Sequence, residues 1–94
     1  MNIDKCTAID EYLKREFPNS EIEQANFAGC QHYKIQTENN LLMLKVGEEF
    51  IGDTSLKDII QNLEEWEVPN LLKENSRLGI LITRAGASIY ERNL

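Results

Sequence analysis

Cys30 and His32 form the only cluster of cysteine and histidine in the sequence. A thiol and an imidazole can act as a nucleophile and its base, or as two zinc ligands. On a strand, however, residues two apart lie on the same face about 6–7 Å apart and do not hydrogen-bond directly. A zinc ion takes four ligands, and the chain offers one histidine and two cysteines. The sequence therefore predicts no catalytic residue, metal or cofactor, and favours a half-buried hairpin cysteine beside a surface histidine.

Carboxylates are concentrated in one stretch of the chain. The 94 residues carry a net charge of −6, with 16 acids against 10 bases. Residues 48–67 hold seven acids against Lys57 alone, a net of −6, while residues 1–47 net −2 and residues 68–94 net +2. A protein with this excess of negative charge repels the phosphate backbone of nucleic acids and anionic membrane surfaces. The sequence therefore predicts neither direct nucleic-acid binding nor membrane binding, and it favours a partner with a basic surface.

The acidic stretch supplies the candidate binding residues. Trp66 stands between two glutamates, and an aromatic ring in an anionic surround is a docking point for a basic partner, because charge steers the encounter and the ring supplies contact area. The predicted partner-binding residues are Glu48, Glu49, Asp53, Glu64, Glu65, Trp66 and Glu67. Two alternatives stay open. Acids along a helix are usually its solvated side, and Trp66 could instead close the core at the end of an apolar stripe.

The first half of the chain predicts one helix and three strands. Cys6, Ile9, Leu13 and Phe17 recur at helical spacing within 4–17, and Pro18 ends that helix. Residues 21–29 form the weakest strand candidate, residues 31–38 alternate, and residues 41–46 are apolar on both faces, which is typical of a covered central strand. The pair Asn39–Asn40 predicts the turn between the last two strands.

The second half predicts two helices and a hairpin. Gly52 to Ser55 opens a helix in which Ser55 and Asp58 resemble a capping box, and Leu56, Ile59, Ile60, Leu63 and Trp66 form its apolar stripe. Pro69 begins a short helix through about Glu74. Residues 77–84 and 87–91 then form two strands joined at Ala85–Gly86.

These elements predict one α+β domain over residues 1–94. Its fold is an antiparallel sheet of four to five strands with two main helices and one short helix on one face, in the order α-β-β-β-α-α-β-β. No stretch approaches the roughly 18 apolar residues of a membrane span. The start of the chain lacks a signal-peptide pattern, and two cysteines fit no disulfide framework. We therefore expect a soluble, cytoplasmic protein.

The acidic stretch, the Cys30–His32 hairpin and the sheet support three alternative hypotheses for the function. The first is a protein-interaction module, a regulator, adaptor or inhibitor that binds a basic surface through residues 48–67. The second is an enzyme or small-ligand binder that uses the hairpin around Cys30, His32 and Tyr33. The third is a self-associating structural subunit, in which a second copy covers the open face of the sheet or pairs with an exposed edge. The final strand, with Ile89 and Tyr90, is one such edge if it does not lie inside the sheet.

Overall fold

A computed structural model describes residues 3–92 of the chain, which fold into four helices and five strands in this part. The elements in chain order are α1 (Ile3–Glu16), β1 (Glu21–Phe27), β2 (Cys30–Gln36), β3 (Leu41–Gly47), α2 (Glu48–Asp53), α3 (Leu56–Glu65), α4 (Val68–Glu74), β4 (Gly79–Thr83) and β5 (Gly86–Tyr90). The predicted α+β class and the predicted order of elements are confirmed, with α2 as one helix that the sequence pattern did not indicate. None of the described helices is long and apolar enough to cross a membrane.

The sheet is mixed, which corrects the prediction of an antiparallel sheet. Its strands lie in the order β1-β2-β3-β4-β5. The pairs β1–β2, β2–β3 and β4–β5 are antiparallel, whereas β3 and β4 are parallel. The reason lies in the connection between β3 and β4, which contains α2, α3 and α4. A long helical crossover returns the chain to the starting end of the sheet, so the next strand runs in the same direction.

One face of the sheet carries the hydrophobic core. Tyr33, Leu44 and Ile80 are neighbours across β2, β3 and β4, and each is at most 1% exposed. The other core strand residues share this face, and they are Ile35, Leu42, Val46 and Ile82. The hydroxyl of Tyr33 donates to the backbone carbonyl of Cys6 over 2.8 Å, which ties α1 to the sheet. The helices therefore cover this face, as predicted.

The two main helices form for the reasons seen in the sequence. In α1, Ile9 and Leu13 are fully buried, and the helix ends before Pro18. In α3, the Ser55 hydroxyl accepts a hydrogen bond from the Asp58 backbone N–H over 3.2 Å, which confirms the predicted cap. Leu56 is the exception in the predicted stripe, because its side chain is 43% exposed.

None of the helices described between residues 3 and 92 packs on the opposite face of the sheet. Its side chains alternate with the core residues, so Lys34 of β2, Met43 and Lys45 of β3, and Tyr90 of β5 share it. The ammonium of Lys45 lies 4.2 Å from the centre of the Tyr90 ring, a cation–π contact. This open face is partly covered by its own long side chains.

Candidate functional site

A cleft of about 600 Å³ lies where the two parallel strands end. Gly47 closes β3 and Thr83 closes β4, and both line this cleft. Ligands of open sheets with parallel strands bind outside the carboxyl ends of those strands, where the chain leaves for its next element. The β1–β2 turn, the start of α2 and the β4–β5 turn border the space. We call it the α2 cleft.

The β1–β2 turn shapes one side of the α2 cleft. Ala28 and Gly29 have positive φ angles of 54° and 74°. Two consecutive positive φ values are what a two-residue primed hairpin turn requires. The Gly29 carbonyl accepts a hydrogen bond from the Glu48 backbone N–H over 3.0 Å, so the hairpin is joined to the first residue of α2. The strand predicted through Gly29 therefore ends two residues earlier, at Phe27.

A forked arginine crosses the rim of the α2 cleft. Arg84, in the β4–β5 turn, donates from Nη2 to the Glu49 carboxylate over 3.0 Å and from Nη1 to the Asp53 carboxylate over 3.1 Å. The three side chains are between 60% and 82% exposed, so each pair contributes at most about 1 kcal/mol. Glu48 also lines the cleft, so this part of the surface carries three carboxylates and one guanidinium, a local net charge of 1 − 3 = −2.

The interior of the α2 cleft is mainly apolar. Phe50 is 3% exposed and lines it together with the half-buried Leu81 and Cys30. Gly47 adds no side chain, and a Cβ placed there would meet the Ile82 carbonyl oxygen at an ordinary 3.5 Å. The site thus combines an acidic rim with an apolar interior, an arrangement suited to a cationic group that carries an aliphatic stem.

The structure divides the predicted binding residues into two groups. Glu48 and Glu49 line the α2 cleft, and Asp53 is joined to its rim through the ion pair with Arg84. Glu64 and Glu65 are exposed in the last turn of α3, and Glu67 is exposed immediately before α4. Trp66 is half-buried against the core, with its ring centre 5.9 Å from that of Phe50. Trp66 therefore packs as the alternative interpretation expected, and through Phe50 it connects the second group to the cleft.

The Cys30 and His32 side chains take different roles on the open face. Cys30 is a half-buried free thiol at the α2 cleft, as predicted. His32 was predicted at the surface, and this is wrong, because only 6% of it is exposed. Its ring stacks on Phe27 with centres 3.8 Å apart, and its Nε2 lies 3.2 Å from the Phe27 carbonyl oxygen. The imidazole is therefore committed to packing, which removes support for a Cys30–His32 catalytic pair.

The free energy of unfolding is expected to depend on the protonation of His32. Burial lowers the pKa of His32 below 6.5, the Phe27 carbonyl opposes this, and Lys45 and Lys34 lower it further. The unfolded chain then binds more protons than the folded chain between the folded pKa and about 6.5. Stability is therefore complete above that window and falls as the pH drops through it. Urea denaturation at about pH 7.5 and about pH 5.5 should show a larger loss for the wild type than for His32→Gln; equal losses would contradict this.

Comparison with protein-family models, with curated proteins and with solved structures finds no match for the chain. The residues 3–92 also contain no group of three or more histidine, cysteine, aspartate or glutamate side chains arranged to hold a metal ion. The contributions of Arg84, Phe50 and Gly47 to the cleft were not predicted. The available signal was the long helical connection after β3, which brings the ends of β3 and β4 together.

Proposed function

We propose that the protein is an interaction module that binds a basic segment of a partner protein in the α2 cleft. The observation that carries this proposal is the excess of carboxylates over Arg84 at the rim of an apolar cleft. The partner segment would place an arginine or lysine at the rim and an apolar side chain against Phe50 and Leu81. The net charge of −6 would steer a basic partner toward the protein and raise the association rate.

Arg84 supports the choice of a cationic group. A single guanidinium already bridges Glu49 and Asp53, so the two carboxylates are spaced for a forked donor. Glu48 has no ion-pair partner among residues 3–92, which leaves a carboxylate for an incoming cation. Arginine fits this rim better than lysine, because its planar fork can bind two carboxylate oxygens at once.

Both described cysteines are free, and this agrees with a reducing compartment. We propose a cytoplasmic location for the protein and its basic partner. The proposal requires no catalytic step, since the cleft chemistry named above is recognition alone.

Binding of a basic probe should depend on the position of the carboxylates and not only on their number. The probe is a fluorescein-labelled peptide of alternating arginine and leucine, followed by fluorescence anisotropy. Neutralising the rim with Glu48→Gln, Glu49→Gln and Asp53→Asn should weaken binding at least about tenfold. The matched control removes three exposed carboxylates elsewhere, with Glu11→Gln, Glu38→Gln and Glu74→Gln, and should weaken binding less than about threefold, through long-range charge alone.

Two further variants locate the binding surface. Gly47→Leu inserts a side chain into the apolar interior and should weaken binding without any change in charge. Neutralising Glu64, Glu65 and Glu67 tests the second group of predicted residues and removes the same number of negative charges as the rim triple. Equal losses for the rim, second-group and control triples would mean that the probe senses only net charge, and the α2 cleft would lose its role.

A further inference from the structure

The sheet has two edge strands, β1 and β5, and they are protected to different degrees. The final strand lies at an edge of the sheet rather than inside it. An edge strand presents unpaired backbone N–H and C=O groups, and natural proteins block such edges with charges, proline, bulges or covering segments. The composition of each edge therefore indicates whether it is kept from pairing.

The β1 edge is blocked by charge. Glu21 and Glu23 are exposed side chains within the strand. A second β1 strand would bring two more glutamates to the same edge, and like charges across a strand pair are destabilising. The edge also carries an amide network, in which Gln31 donates to Gln24 over 2.9 Å and Asn26 donates to Gln31 over 3.1 Å. The last residue of β1, Phe27, is apolar and 57% exposed, but its ring is already stacked on that of His32. The start and middle of this edge are therefore acidic and polar.

The β5 strand itself lacks the charges and prolines that block an edge. Its five residues, Gly86 to Tyr90, contain no charge and no proline. Ile89 pairs with the buried Ile80, so its side chain lies on the face of the sheet that the helices cover. Ile89 is nevertheless 54% exposed. An apolar side chain is thus left open at an unblocked edge, which is the arrangement that accepts another strand.

We propose that β5 pairs antiparallel with β5 of a second copy of this chain, which joins two five-stranded sheets into one. A twofold axis perpendicular to the sheet places the helix-covered faces of both copies on the same side of the joined sheet. Directly opposite residues of an antiparallel pair point to the same side, so one residue of β5 must lie opposite the same residue of the second copy. Centred on Ser88, it sets Ile89 opposite Ala87 of the second copy on the helix-covered face. Both are apolar, and Ala87 already packs against the core, so Ile89 becomes covered.

Self-complementarity selects a second copy as the occupant. Pairing centred on Ser88 sets an Ile89 opposite an Ala87 twice, and no residue within β5 is charged. Arg84, just before β5, already bridges Glu49 and Asp53, so the pairing rests on these apolar contacts and on backbone hydrogen bonds rather than on an ion pair with Glu91. The net charge of −6 per chain opposes association over long distances, so we expect the dimer to be strengthened by moderate salt.

The interface is a single short strand, so the dimer should be weak. Sedimentation velocity of the full chain from about 10 μM to about 1 mM should show conversion from monomer to dimer mass, since interfaces below the standard size give weak complexes. Ile89→Lys places a charge on the pairing edge and should weaken the dimer at least about tenfold. The matched control is Leu56→Lys on α3, which exchanges another exposed apolar residue (43% exposed) and should leave the dimer unchanged.

Each outcome decides the proposal. Loss of the dimer in Ile89→Lys alone, with an unchanged melting temperature, supports it. A wild-type chain that stays monomeric at the highest concentration overturns it. Loss of the dimer in Phe27→Lys but not in Ile89→Lys would assign self-association to the open face and would also overturn it. An equal loss with Leu56→Lys would show a non-specific effect of the added charge, with the same consequence.

Discussion

Replacing Leu44 with alanine is expected to destabilise the protein by about 3–5 kcal/mol, the range for a fully buried leucine whose cavity cannot collapse. Leu44 is 1% exposed at the centre of the central strand, between Tyr33 on β2 and Ile80 on β4. Its neighbours belong to hydrogen-bonded strands and cannot move into the space. Such a loss is a large part of the stability of a small domain, and urea denaturation followed by circular dichroism measures it.

The same strand provides the control for this prediction. Leu41 has the same side chain but faces the open side of the sheet, where it is 37% exposed. Leu41→Ala should cost less than about 1 kcal/mol, because less apolar area is lost and no closed cavity forms. If the two substitutions were equally costly, the open face would have to be covered, and the assignment of the core to one face would be wrong.

Gly79→Ala is expected to cost about 1–3 kcal/mol, the range for forcing atoms into an occupied site. The Tyr90 ring lies directly over Gly79, on the neighbouring strand, and a Cβ at this position would overlap its ring carbons and hydroxyl. The ring cannot stay in place, so the substitution also breaks the contact between Tyr90 and Lys45.

A double-mutant cycle separates this overlap from the intrinsic effect of alanine. In a Tyr90→Ala background the ring is absent, and Gly79→Ala should be nearly neutral, within about 0.5 kcal/mol, the usual range for a site without special features. Urea denaturation of the four proteins gives the coupling energy. A cost that is the same in both backgrounds would show that the ring is not what restricts residue 79.

The local elements of this fold could be predicted because their signals are local. The spacing of Ile9 and Leu13 specifies α1, and the Ser55 cap specifies the start of α3. The β2–β3 turn lies one residue earlier than predicted, at Glu38–Asn39, because the Thr37 N–H donates to the Asn40 carbonyl over 2.8 Å and the Asn40 N–H donates to the Thr37 hydroxyl over 3.1 Å. The β4–β5 turn lies one residue earlier than predicted, at Arg84–Ala85, with Gly86 as the first residue of β5 at a φ of 113°. Such one-residue errors are expected at element ends.

The features of the fold that were not predicted share one property, which is that no local sequence pattern indicates them. The parallel pairing of β3 and β4 depends on the path of the helical connection, which no local pattern encodes. Helix α2 has only six residues, Phe50 and Ile51 being its buried pair, and that is too short for a periodic pattern to identify. Ala28 adopts a positive φ without being a typical turn residue.

The candidate site was predicted only in its acidic half. Glu48, Glu49 and Asp53 were identified from charge, which is visible in the sequence. Their relation to Arg84 joins residues 31 and 35 positions apart, and the apolar interior depends on where two strands end. Long-range contacts of this kind appear only once the sheet order is known.

The most direct measurement is a nuclear magnetic resonance titration of ¹⁵N-labelled protein with the arginine–leucine peptide, recording backbone amide shifts. The account predicts that the largest shifts map to the residues around the α2 cleft, residues 29–30, 47–50 and 83–85, and that they disappear when the rim carboxylates are neutralised. Shifts concentrated instead at residues 64–67, or spread evenly over the acidic surface, would contradict the α2 cleft as the binding site.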